Sequence, residues 1–86
     1  MPLLSMFYGI ILRMYNNGEH NPPHFHAYYG EFQSIFSLDG ELLEGSMPRK
    51  QTRLIQAWTE IHLEELKANW ELAINEEPIF RIDPLR

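Results

Sequence analysis

The chain has no cysteine among its 86 residues. Disulfides are therefore excluded, and no thiolate can serve as nucleophile or metal ligand. It also has no basic excess. Seven Lys and Arg stand against twelve Asp and Glu, for a formal charge of −5 with histidine neutral. General nucleic-acid binding, which draws on clustered positive charge, is disfavoured. No long hydrophobic run is present. The most apolar stretch near the start is interrupted at Arg13, far short of the ~20 residues of a membrane helix. The first residues carry no basic leading segment and no small-residue cleavage site, so no export leader is expected. Without thiols, leader or span, the expected location is the cytoplasm. No glycine-rich phosphate loop, nucleophile elbow or usable Ser-His-Asp pattern occurs, so these patterns leave the catalytic residues unknown.

What is present argues for a packed domain. Eleven Phe, Tyr and Trp are too many for a disordered tail. The length suits one domain over residues 1–86. A chain of this size buries roughly 60–65% of its unfolded surface. That favours shallow grooves, or a site completed by a partner, over a deep walled pocket.

Two halves follow different patterns. Residues 1–47 are rich in aromatic and β-branched residues and in turn signals, whereas residues 49–77 contain neither Gly nor Pro. Strands followed by helices indicate an α+β fold. The expected architecture is an antiparallel sheet of three to four strands (about 6–15, 24–29, 32–38 and 41–46), with two C-terminal helices (about 48–60 and 63–76) packed on one face. The first strand, 6–15, has apolar residues in both phases, as expected of a strand covered on both sides.

Turn chemistry sets the registers. Asn16-Asn17-Gly18 supplies a turn. Gly30-Glu31 suits a two-residue hairpin loop, pairing Tyr29 with Phe32, Ala27 with Ser34 and Phe25 with Phe36. Directly opposed residues share a face. Phe25, Ala27, Tyr29, Phe32, Ser34 and Phe36 then form a core face, and His24, His26, Tyr28, Gln33, Ile35 and Ser37 form the other. Asp39-Gly40 predicts a second hairpin, pairing Phe36 with Leu43 and Ile35 with Glu44. Leu43 would join the core face, while Leu42 and Glu44 would join the histidine face.

In the second half Ser46 is the expected helix N-cap and Pro48 suits the first turn. Leu54, Trp58 and Ile61 make one apolar stripe; Leu63, Leu66, Trp70 and Ala73 make another. At ~100° per residue the two stripes diverge by roughly 140°, so one straight helix cannot bury both. A single helix over 48–77 would be ~45 Å long, against an expected radius of gyration of ~12 Å. A break near Glu60–Leu63 follows. Trp58 and Trp70 read as core anchors. Glu60, Glu64, Glu65, Glu71, Glu76 and Glu77 read as a solvated face, and His62 as local packing. The apolar tail, with Ile79, Phe80 and Ile82, is expected to lie extended against the body beside a sheet edge.

Three of the four histidines fall within His20-Asn-Pro-Pro-His24-Phe-His26. His24 and His26, two apart on a strand, project together. Imidazole is a good ligand for zinc or another divalent transition metal. With His20 folded back, three ligands plus water would make an open site, with Glu19 and Glu44 as nearby carboxylates. The competing reading is structural: imidazoles decorating a sheet surface, packed on Tyr28 and Ile35. Arg49, Lys50 and Arg53 at the first helix start form a candidate anion-binding site, since helix amides favour anions; the alternative is a solvated helix surface. Without metal, His24 or His26 would serve as the acid–base group, and a histidine with these basic residues is the minimum set for RNA cleavage. A metal-dependent small enzyme, nuclease or hydrolase, using the His20, His24 and His26 cluster stands as an alternative function.

Several segments together carry a resemblance. They are Phe7-Tyr-Gly-Ile, His20-Asn-Pro-Pro-His-Phe-His-Ala27, Gly45-Ser-Met-Pro-Arg49, Trp58 through His62, Glu65-Leu66 and Asn69-Trp70-Glu71. In these the chain resembles the small bacterial family called domain of unknown function 4160, over nearly its whole length. The resemblance picks out His20, His24, His26, Pro48, Arg49, Trp58, His62 and Trp70, and implies no catalytic role for them. It does imply a partner: similar proteins are often encoded beside a second small protein, in pairs that look like toxin–antitoxin modules. The expected function is an interaction module in such a pair.

Overall fold

The structure is a computed structural model, and it describes residues 2–15 and 22–86. Five antiparallel strands run in chain order across one sheet: β1 (Leu3–Phe7), β2 (Ile10–Arg13), β3 (His24–Tyr29), β4 (Phe32–Ser37) and β5 (Leu42–Gly45). Two helices follow, α1 (Arg49–Ile61) and α2 (Leu63–Ile74). The α+β class, the two helices and their break hold as expected. The strand count does not, since five strands replace three to four.

The extra strand comes from residues 6–15, which form most of a hairpin rather than one strand. Tyr8 and Gly9 both take positive φ, 48° and 79°, and Phe7 pairs with Ile10 across them. Two consecutive residues of positive φ make the tight turn whose twist matches antiparallel strands. Glycine takes that conformation freely; Tyr8 pays a strain cost there.

The β3–β4 register is the expected one at every position, from Tyr29↔Phe32 to His24↔Ser37. Its turn has Gly30 at φ 56°. The β4–β5 hairpin departs from expectation. Ile35 pairs with Glu44, but Phe36 pairs with Leu42, with an irregularity between them. Leu43 is the unmatched residue of a bulge, and it is exposed rather than on the core face. The turn is longer than Asp39-Gly40 alone: the Ser37 amide donates to the Glu41 carbonyl at 2.9 Å. Its tip docks on α1 through the Gln56 amide, which donates to the Gly40 carbonyl at 3.0 Å. Gly45, at φ 83°, lies so close to β4 that an added Cβ would strike the Gln33 carbonyl and Ser34 Cα. No larger residue fits there without moving the strand.

The helix entry also differs. Pro48 occupies the cap position of α1 without a side-chain hydrogen bond, so Ser46 is not the N-cap. The Pro48 carbonyl accepts from the Thr52 amide, and proline suits an entry that needs no N–H donor of its own. The buried stripe of α1 is Gln51, Ile55, Trp58 and Thr59. Ile61 is 65% exposed and lies outside it. The break falls at His62, whose Nδ1 is 2.6 Å from Glu65 Oε1.

The core collects Leu4, Ile10, Leu12, Phe25, Phe36, Ile55, Trp58 and Leu66, all fully buried. Trp58 binds the layers together. Its ring centroid lies 5.8 Å from both Phe7 and Phe25, and its indole N–H donates to the Asp83 carbonyl at 2.8 Å. The tail thus folds back over the body, as its apolar residues anticipate. Buried Asn69 clamps it from α2: the amide donates to the Phe80 carbonyl at 2.8 Å, and its oxygen accepts from the Phe80 N–H at 3.0 Å. The Ile82 amide then donates to the Leu4 carbonyl on β1 at 2.9 Å, which places the tail at that sheet edge. The radius of gyration is 11.7 Å. No helix among the described residues is long and apolar enough to cross a membrane.

Candidate functional site

The pairings align side chains in rows across the sheet. Arg13 pairs with His26, His26 with Ile35, and Ile35 with Glu44. The next row is Ile11, Tyr28 and Gln33. Because paired residues share a face, these residues lie opposite the Phe25 and Phe36 face that meets Trp58. This second face is the candidate site.

His24 and His26 come together on it, with ring centroids 5.5 Å apart and planes at 61°. Their surroundings differ. His24, 6% exposed, sits at the start of β3 with its ring 5.3 Å from Trp70 of α2. Its Nδ1 is 3.0 Å from the Pro22 carbonyl. A carbonyl only accepts, so Nδ1 is the donor. His26 stacks on Tyr15, with centroids 4.6 Å apart and planes at 17°. Its Nε2 is buried and has no hydrogen-bond partner among the described residues. Burial first, and the neighbouring His24 second, lower the His26 pKa below 6.5, while Glu44 works in the opposite direction. Burial, with Tyr28 beside it, raises the Tyr15 hydroxyl above its ordinary value of 10.0. Both shifts favour the uncharged forms of His26 and Tyr15.

Between these groups lies an open hollow of about 330 Å³, lined by Tyr15, His26, Tyr28, Gln33, Ile35 and Glu44 among others. Among the described residues, Glu44 is the one charged side chain lining it.

The expected metal set is brought together in part. His24 and His26 converge, and His20 lies outside the described residues, as do Glu19 and the Asn16-Asn17-Gly18 turn. Among the described residues no three His, Asp or Glu side chains gather as a metal-binding group. Arg49, Lys50 and Arg53 are exposed together on the first turns of α1, around a separate hollow of about 590 Å³ that Leu54 completes. No acidic residue stands in that first turn. His62 is held locally, between Glu65 and the Trp58 ring at 5.7 Å.

One contact of the site escapes a reading of spacing alone, and a second was legible. The Trp70–His24 contact joins residues 46 positions apart through the tertiary fold. The Tyr15–His26 stack had a usable signal: Tyr15 follows Ile11 and Arg13 in alternation, so it belongs to the histidine face.

Neither the curated proteins nor the solved structures contain a match to this chain. A family model, domain of unknown function (DUF4160), does match residues 9–71. That stretch runs from the first turn into α2 and carries the histidine block and both tryptophans. On that match the chain belongs to the DUF4160 family.

Proposed function

We propose that the protein is an interaction module of the cytoplasm. It would be one member of a two-protein, toxin–antitoxin-like pair whose other member is a small protein encoded by a neighbouring gene. The working surface is the histidine-bearing sheet face. The observation carrying this reading is the asymmetry of the sheet. Trp58 and its neighbours cover one face, while the other presents Tyr15, His26, Tyr28 and Ile35 half-buried around a hollow, and Met6, paired with Ile11, is 57% exposed on β1. Aromatic residues that combine an apolar body with a polar tip are favoured at protein interfaces. Co-expression with the neighbouring gene product, followed by native co-purification, tests the proposal. A stable complex whose amide shifts centre on residues 26–35 is the expected result. Failure to associate when both proteins are folded and concentrated overturns it.

The convergence of His24 and His26 supports a second reading, a metal-dependent small enzyme of the nuclease or hydrolase type, with His20 as third ligand and Arg49, Lys50 and Arg53 holding an anion. Zinc or nickel titration followed through the imidazole resonances tests it. Unchanged His20, His24 and His26 signals would remove it.

A further inference from the structure

The two edges of the sheet are treated differently. At the β1 edge the tail lies alongside, and Ile82 donates to Leu4. At the other edge, among the described residues, β5 pairs on one side only, with β4. An edge strand presents unpaired N–H and C=O groups, and proteins protect it with lysine, proline, a bulge or a covering segment; of these β5 has the Leu43 bulge. Within Glu41–Gly45 there is neither Lys, Arg nor Pro. Leu42 and Leu43 are instead 40% and 43% exposed, between exposed Glu41 and Glu44. A second copy of β5 would set this acidic strand against another of the same charge, so the edge does not suit self-pairing.

We infer that β5 accepts an extended segment of a basic partner by strand addition, with a Lys or Arg side chain of that segment seated over Glu44. Main-chain hydrogen bonds would supply the affinity and the alternate side chains the specificity. Glu44 lies on the histidine face because it pairs with Ile35, so a residue opposite Glu44 on an added strand projects over the same face. There it meets the Glu44 carboxylate at the side of the hollow that Tyr15 and Tyr28 also line. Such rings attract a cation through their π faces. His26, held neutral, does not repel it. Arg13 stands at the far end of the row, three strand spacings or ~14 Å from β5, and is not among the residues lining the hollow. The chain's charge of −5 adds long-range attraction for a basic partner. This inference rests on the interaction-module reading and specifies the chemistry of the partner segment.

The probe is a short peptide alternating valine with arginine, compared with its valine–glutamate counterpart. Hydrogen exchange should show protection of amides 41–46 by the arginine peptide, with shifts at Tyr28 and His26. Exposed Glu44→Lys should keep the fold and weaken binding roughly tenfold, since it sets like charges together. No binding, protection elsewhere, equal binding of the two peptides, or no response to Glu44→Lys each overturns the inference. The co-expressed neighbour separates the two claims. A complex with unprotected β5 amides removes strand addition and leaves the module. Absence of any complex removes the module, while the peptide still decides whether the edge takes a basic strand.

Discussion

The same strands build two unlike faces, and the difference shows what each is for. In β3, Phe25 and Ala27 are fully buried beneath the helices, while His26 and Tyr28, the alternate residues, are half-buried on the side opposite. The covered face is an apolar interior: the Phe25 and Phe36 rings stack at 5.9 Å and Trp58 closes over Phe25. The other face is aromatic but polar at its tips, and it leaves a hollow where the covered face has packed rings. A residue that stabilises one face is therefore a poor model for the other. The covered face carries the fold, and the open face is free to vary its chemistry at small cost in stability.

Truncation gives the largest expected contrast. Trp58→Ala removes the ring between Phe7 and Phe25 together with the bond to Asp83, and should destabilise the protein by about 3–5 kcal/mol, as large-to-small core changes do. Tyr28→Ala on the open face should cost no more than about 1 kcal/mol. Chemical denaturation of both variants checks the pair. Similar losses would abolish the distinction between the faces.

How much of this was legible before the structure depends on the range of the interaction. The β3–β4 register follows from Gly30-Glu31 and strict alternation, both local, and it is right at every pair. The helix break at His62 follows from two apolar stripes that cannot face one core. By contrast, the Tyr8-Gly9 turn hides in a continuous apolar run, because tyrosine seldom takes φ of 48°. The Leu43 bulge hides because an unmatched residue leaves no mark on alternation until the partner strand is in place. At the site, the shared face of His24 and His26 is a property of one strand and could be read directly. What fixes their environments could not. Trp70 reaches His24 from α2, and the buried Nε2 of His26 depends on Tyr15 lying flat against the ring.

An intermediate effect sharpens the comparison from inside the covered face. Ser34 is 5% exposed, and its hydroxyl has no partner among the described residues. Its register opposite Ala27 puts it on the Phe25 side. A buried hydroxyl left unbonded costs more than a methyl group in the same place. Ser34→Ala should raise stability by about 1 kcal/mol, which for a chain this short is about 4–8 °C in melting temperature. A lower melting temperature would mean that the hydroxyl is satisfied and that the covered face is less dry than Phe25 and Phe36 imply.

The smallest effect belongs to His26 and bears on the open face alone. Its folded pKa lies below the unfolded 6.5, chiefly through burial and then through His24. The unfolded chain therefore binds this proton first as the pH falls. The contribution of His26 to stability is intact above about 6.5 and is lost progressively between 6.5 and the lower folded value. His26→Phe keeps a ring for Tyr15 to stack on and removes the titration, so it should flatten the acid slope of the denaturation midpoint without lowering the plateau at neutral pH. Glu44 opposes the shift, so Glu44→Gln should move the His26 midpoint further down in an NMR titration. A His26 midpoint at or above 6.5 would place the imidazole in water, and the open face would then be a solvated surface instead of a partly desolvated one.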